Sequence, residues 1–294
     1  MKNIWIINQY ANTKNMPGHT RQYEIAKGLV TRGWETHVFA SDFNLSSRKF
    51  FYLKKFQSCL RQKVDGINWL WLRVYPYKIN DINRYINILS FTSHIFIRLV
   101  VKSIYEKSPD IIFASSPQLP ATFICLIIAK ILRKPFVVEI RDLWPQVLIE
   151  QGGMKKSNLM IKILLIIEGF IYKNSNHVTV LAKGSVNFVA ERGAKNISWL
   201  PNGPDLNDFK EINNSQEPDK FSLTNPFKIF YTGAHGEANA LDILVDAARL
   251  IKDLPIKIIL VGDGPEKNNL IQYAKGLNNV EFINPIPKKK IPYL

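Results

Sequence analysis

The sequence predicts an α/β fold built on parallel sheets. Three observations carry this expectation. Short runs rich in Val, Ile and aromatic residues recur along the 294 residues. Helix-length amphipathic segments separate them, which argues for βαβ units with right-handed crossovers. The alternation stops over residues 201–227, a stretch rich in Pro, Asn, Asp and Ser, and then restarts. The expected organisation is a first domain over 1–203, a linker over 204–226 and a second domain over 227–294.

In chain order, NIWII (3–7) is the first strand. Its single lysine and short apolar run are too little for a signal peptide. A loop holding Gly18 leads into a helix near 19–32, then the strand THVFA (36–40). Residues 47–63 (SRKFFYLKKFQSCLRQK) read as a basic amphipathic helix. Tyr52, Leu53, Phe56, Cys59 and Leu60 share one face; Lys54, Lys55, Ser58, Arg61 and Gln62 share the other. Such a helix suits an anionic membrane surface; plain packing on its own sheet is the alternative. The strand INWLWLRV (67–74) and a helix over 81–107 follow. DIIFAS (110–115), PFVVEI (135–140), HVTVLA (177–182) and ISWL (197–200) are further strands, with helices near 118–133, 157–173 and 184–192 between them. The second domain reads FKIFYTG (227–233), a helix over 238–252, IKIILVGDG (256–264), a helix over 265–276 and VEFI (280–283).

Composition narrows the class. Apolar residues make up 46% and charged residues 21%, an ordinary globular balance. Cys59 and Cys125 form no CxxC pair, which points to a reducing compartment. No run reaches the eighteen apolar residues of a membrane span: ATFICLIIAKIL is broken by Lys130, and LMIKILLIIEGF by Lys162 and Glu168. A soluble or peripheral protein is expected. Residues 1–203 hold 28 Lys/Arg against 12 Asp/Glu, a net +16, whereas residues 204–294 hold 11 against 12. The first domain therefore has an anionic partner: a lipid surface, a diphosphate or nucleic acid.

Several short segments bear on chemistry. MPGHTRQYEIAKGL (16–29) runs a Gly loop into a helix. Gly18 permits close backbone approach, and the helix N-terminus offers free N–H groups to a phosphate. His19 and Arg21 are the polar candidates there; an ordinary βα turn is the bland reading. EIRDLWP (139–145) ends a buried strand in charge. The Arg141 fork matches phosphate oxygens, Glu139 is placed to pair with Arg141, and Asp142 is the candidate catalytic carboxylate. A salt-bridged strand end anchored by Trp144 is the competing reading. In YTGAHGEANALD (231–242), Gly233 and Gly236 would let a diphosphate approach backbone N–H groups, with His235 between them. LVGDGPEKNNL (260–270) has GxG without GxGxxG, so the dinucleotide fingerprint fails; Gly262, Asp263 and Gly264 form its turn, where the glycines could serve shape alone. Histidines 19, 37, 94, 177 and 235 show no ligand spacing and no GxSxG elbow appears, so no metal centre or covalent nucleophile is expected.

Together with WLPNGPD and VEFINPIPKKKIPYL, these segments resemble the nucleotide-sugar-dependent glycosyltransferases of family four, over essentially the whole chain. The bacterial members that build surface polysaccharide from acetamido sugars are the nearest subgroup. The resemblance implies the GT-B fold: two Rossmann-like domains, here the second incomplete. It shows three strands where a doubly wound sheet has five or six, and a C-terminally truncated, weakly active chain is expected. The resemblance implies retention at the anomeric carbon, a UDP-linked donor, a lipid-diphosphate-linked sugar acceptor, and no metal or other cofactor. It places the Gly18 loop over the donor diphosphate and near the acceptor, and the loop of Gly262–Gly264 beside the base. It also puts EIRDLWP in the cleft, where Asp142 meets the acceptor hydroxyl or orients the sugar. The chain departs from the pattern twice. Ala234 and Asn239 stand where an Arg and a Lys usually hold donor phosphates, and Arg141-Asp142 stands near a common histidine. O-antigen or capsule synthesis on the cytoplasmic face of the membrane follows as the expected setting. A non-catalytic basic module for nucleic acid is the alternative, although no nucleic-acid motif is present.

Overall fold

A computed structural model describes the chain except residues 17, 19, 46, 80, 151, 204–225, 287–289 and 292–293. Residues 204–225 of the predicted linker and His19 thus lie outside the described residues. The chain divides into two compact units, Met1–Gly203 and Pro204–Leu294.

The first unit is one eight-stranded sheet. Its strands are β1 (Asn3–Ile7), β2 (Glu35–Ser41), β3 (Cys59–Val64), β4 (Ile67–Leu72), β5 (Ile111–Ser115), β6 (Phe136–Ile140), β7 (His177–Val180) and β8 (Ile197–Trp199). They lie in the order β3-β4-β2-β1-β5-β6-β7-β8, all pairs parallel except β3 with β4. The helices are α1 (Arg21–Val30), α2 (Ile82–Tyr105), α3 (Leu119–Ile131), α4 (Gln146–Glu150), α5 (Leu159–Asn174) and α6 (Ser185–Glu191).

Strand alternation sorts the core into two layers. Trp5 and Ile7 of β1 face one layer with Phe91, Ile95 and Leu99 of α2, Cys125 of α3 and Ile171 of α5. Ile4 and Ile6 face the other, with Tyr23 and Ala26 of α1 and with Trp69 and Trp71. A period of two along a strand puts neighbours on opposite faces. Each fully buried large side chain contributes roughly 1.5–3 kcal/mol. α2 is long and apolar enough to cross a membrane by length and composition. Asn87, Ser90, Ser93 and Arg98 interrupt its apolar residues, so no unbroken eighteen-residue run stands out in the sequence.

The expected helix over 47–63 does not form. Asp42, fully buried, accepts the backbone N–H groups of Phe51, Tyr52 and Leu53 at 2.8–3.2 Å and holds them in a loop. Phe56 has a positive φ of 69° and is 89% exposed, so no apolar helical face exists. Cys59–Val64 instead turns back on Ile67–Leu72 through Asp65 and Gly66, whose φ values are 51° and 79°. Both central residues at positive φ make this the Asp-Gly turn that joins antiparallel strands.

The second unit has a three-stranded parallel sheet, β11 (Val280–Ile283), β10 (Ile256–Val261) and β9 (Phe227–Thr232), in the order β11-β10-β9. Helices α7 (Asp242–Leu250) and α8 (Lys267–Tyr273) complete it. Val245 and Ala248 of α7 and Leu270 of α8 are the buried contributions of these helices.

Candidate functional site

In the first unit, chemistry collects past the carboxyl ends of β1, β5 and β6, where open parallel sheets bind ligands. The chain leaves β1 through Asn8, Gln9 and Tyr10, all buried, and reaches Gly18 at φ +109° before α1 begins at Arg21.

Arg21 does not present its fork to a ligand. Its Nε donates to Oε1 of Glu139 at 2.6 Å. Its terminal nitrogens donate to the carbonyls of Leu200 and Pro201 at 2.8 and 2.9 Å and to Oδ1 of Asn202 at 3.1 Å. Glu139, with no exposed surface, also accepts from Gln22 Nε2 at 2.9 Å and Ser115 Oγ at 2.8 Å. The expected Glu139–Arg141 pair is thus replaced by Glu139–Arg21. The reason is direction: β6 turns Glu139 inward toward α1, while Arg141 lies beyond the strand's last residue.

Among the described residues, Arg141 has no ion-pair partner at this edge. Its backbone N–H donates to Ser116 Oγ at 3.0 Å. Its guanidinium is half-buried and meets no carboxylate or carbonyl among the described residues. Burial lowers its pKa, against the raising influence of Glu139 and Asp142. A desolvated cation without a partner is an anion-receptive group. Asp142 beside it is exposed and its carboxylate is likewise unpartnered among the described residues. In the segments that follow β1 and β5 and at the start of α1, Asn8 Nδ2, Gln118 Oε1 and Gln22 Oε1 are buried with no hydrogen-bond partner among the described residues. Buried polar atoms are normally paired, so this edge holds donors and acceptors in reserve for a polar ligand.

In the second unit, two glycine loops interlock. His235 N–H donates to Asp263 O at 2.9 Å, and Glu266 N–H donates to His235 O at 3.0 Å. A Cβ on Gly262 would lie 1.8 Å from Gly233 O, and one on Gly264 would lie 2.3 Å from His235 O. Gly262 and Gly264 are therefore required by loop-to-loop contact. Lys267 Nζ donates to Gly262 O at 2.8 Å and to Asn284 Oδ1 at 2.9 Å. His235 is fully buried between the rings of Tyr231 and Phe282, and neither of its nitrogens has a partner among the described residues. Burial first, and then Lys267, lowers its pKa and keeps it neutral. Asn239 donates to the Tyr231 hydroxyl at 2.9 Å, so it braces the turn. Gly236 lies in extended backbone, and a Cβ added there would approach Asn239 Oδ1 no closer than 3.6 Å, so it is the open point of the loop. Among the described residues, no group of three or more His, Cys, Asp or Glu is placed to hold a metal ion.

The chain matches the glycosyl transferase 4-like domain over residues 18–203. It is 24% identical over 235 residues to WcaI of Escherichia coli (strain K12), whose name assigns it to colanic acid biosynthesis as a glycosyl transferase. That match covers 76% of this chain and 56% of WcaI, so the chain spans little more than half the length of that relative. Among solved structures it is similar to sucrose-phosphate synthase from Thermosynechococcus elongatus. The TM-score is 0.65 at 15% identity, over 100% of this chain and 73% of that one. It is also similar to HepE of Anabaena in complex with UDP, with a TM-score of 0.59 at 17% identity, over 99% and 71%. The fold is that of GT-B glycosyltransferases, assembled from Rossmann-like domains. With its match spanning most of the first unit and more than half of all residues, the chain belongs to the glycosyl transferase 4-like family.

Proposed function

We propose that this chain moves a sugar from a nucleotide donor, UDP-linked, to a lipid-diphosphate-linked acceptor in surface-polysaccharide synthesis at the cytoplasmic face of the membrane. Family membership supports glycosyl transfer over a nucleic-acid-binding module. The similar HepE structure binds UDP, which supports the donor. The observation that carries the reading is the half-buried Arg141 next to the exposed carboxylate of Asp142 at the sheet's carboxyl edge, neither with a side-chain partner among the described residues.

In this reading Arg141 stabilises phosphate charge, and Asp142 accepts the hydrogen bond of the acceptor hydroxyl. In the Gly233–Gly236 turn, the N–H groups of Gly233 and His235 hold the loop together, and those of Ala234 and Gly236 face the donor diphosphate. Leaving-group stabilisation by fixed donors supplies the rate, with retention at the anomeric carbon and no metal. Ala234 and Asn239 give that turn no cation of its own.

The test is transfer from UDP-sugars to a lipid-diphosphate acceptor by the parent, Arg141→Gln and Asp142→Asn. Arg141→Gln should lower the rate about 10²–10³-fold, the cost typical of removing one well-placed charge-stabilising donor, with thermal stability unchanged. Parent-like transfer by Arg141→Gln would remove this assignment.

A further inference from the structure

α2 and α5 flank α3 on the same face of the sheet, and each turns an apolar stripe outward. On α2, Ile82, Ile86, Leu89, Ile97 and Ile104 fall at the spacing of one helical face, and Leu89 and Ile104 are 57% and 67% exposed. The opposite face of α2, through Phe91, Ile95 and Leu99, is fully buried on the sheet. α5 repeats the arrangement. Leu159, Ile163, Ile166 and Phe170 are exposed, Ile166 at 72%, while Ile161 and Ile171 are buried. Both helices bury their inner faces against one sheet, so the two stripes point the same way. Contiguous exposed apolar surface of this kind marks an interaction site.

The charge around the stripes says what covers them. Between α2 and the β3–β4 hairpin lies a cleft of about 290 Å³ lined by Arg61, Lys63, Arg98 and Lys102, with Glu106 among them. Glu106 pairs with Arg61 and Lys102, leaving the cleft net positive. Val101 of α2, 40% exposed, joins the cleft to the stripe. Lys155, Lys156 and Lys162 at the start of α5 are exposed as well. Apolar stripes bordered by cations, on a unit of net charge +16, complement a surface that is apolar inside and anionic at its rim. The cations also fit badly against a second copy of the same positive unit.

We propose that the α2–α5 face docks on an anionic phospholipid bilayer. The two stripes enter the acyl boundary, and the cleft of Arg61, Lys63, Arg98 and Lys102 receives lipid phosphates. α2 lies on the membrane and does not span it, since its inner face belongs to the sheet core. This moves the apolar membrane contact from a 47–63 helix to α2 and α5, and keeps Arg61 of that segment as a phosphate contact. It extends the lipid-acceptor reading above, and the assay below contains no sugar donor, so docking and transfer fail separately.

The experiment is co-sedimentation of the 294-residue chain with vesicles of phosphatidylcholine alone and of an equimolar mixture with phosphatidylglycerol. The parent should bind the anionic vesicles. The triple variant Ile86→Gln, Leu89→Gln, Ile97→Gln should lose at least about tenfold in partitioning, through lost apolar insertion, with an unchanged circular dichroism spectrum. Leu89→Trp should show a blue-shifted emission that brominated lipid quenches. Three results would overturn the proposal: a parent that stays in the supernatant, a folded triple variant that binds like the parent, or bound chain that resists alkaline carbonate as a spanning helix does. If the triple variant does not fold, a Leu89→Trp emission indifferent to brominated lipid decides against docking.

Discussion

Replacing Arg21 with Met separates two roles that the Gly18 loop offers this residue: gripping a phosphate or holding the protein together. Met keeps most of the aliphatic stem and removes the charge. The pair it breaks is buried, with 10% of the Arg21 side chain and none of Glu139 exposed. Removing one partner of a buried ion pair costs about 3–5 kcal/mol. Glu139 keeps its bonds from Gln22 and Ser115, which places the loss at the lower end, about 3 kcal/mol. All six tryptophans lie within residues 1–203, so their fluorescence in urea reports the first unit alone. With a slope of about 2 kcal/mol/M, the midpoint should fall by about 1.5 M. Adding Glu139→Gln removes the stranded carboxylate, and the double variant should recover at least about 1 kcal/mol of the loss. A midpoint shift under about 0.5 M, with uridine nucleotide affinity abolished, would mean that Arg21 binds ligand and that the Glu139 pair contributes little.

Three further outcomes follow from other contacts. Gly262→Ala should destabilise the second unit by more than about 2 kcal/mol, because its Cβ would lie 1.8 Å from Gly233 O; amide hydrogen exchange in β9 and β10 measures it. Burial raises the pKa of Glu168 from 4.5 to about 7 against the lowering pulls of Tyr172 and Arg192. The folded state then holds more protons than the unfolded state between those values, so stability falls as pH rises from about 4.5 to 7. Glu168→Gln should flatten that slope and equal or exceed the parent above pH 7 in urea titrations. Gly66→Val should weaken the β3–β4 hairpin by about 1–3 kcal/mol, since Gly66 sits at φ +79° with Val30 2.9 Å from a built Cβ; thermal unfolding checks it.

The parallel strands were legible because each is a short Val/Ile-rich run bounded by turn residues, as at NIWII and PFVVEI. In the β3–β4 hairpin, β4 is legible as INWLWLRV, whereas β3 is hidden for a definite reason. CLRQKV mixes apolar and charged residues in a way that satisfies a helical face as easily as a strand, and the Asp65-Gly66 turn that decides between them lies just outside the window. The site was legible in position more than in pairing. That EIRDLWP ends a core strand in charge follows from the sequence. Which cation meets Glu139 does not, since Arg21 is 118 positions away and reaches it only after β1 and β6 are brought close in one sheet. His235 stood out as a polar residue between two glycines. Its ring is buried against Tyr231 and Phe282, a contact that needs the β9–β11 sheet to exist first.

The two ends of the eight-stranded sheet are each made poor templates for another chain. β3 closes one end, and its Arg61 and Lys63 stand exposed at alternate positions, so an approaching strand would have to pair against like charge. β8 closes the other with only three residues, and the indole N–H of Trp199 bonds to Leu181 O at 3.0 Å while Lys183 sits over its ring. Short or cationic borders leave little backbone for edge-to-edge growth. A first unit this rich in outward apolar side chains thereby keeps its sheet from seeding fibrils at the concentrations that a crowded surface would impose.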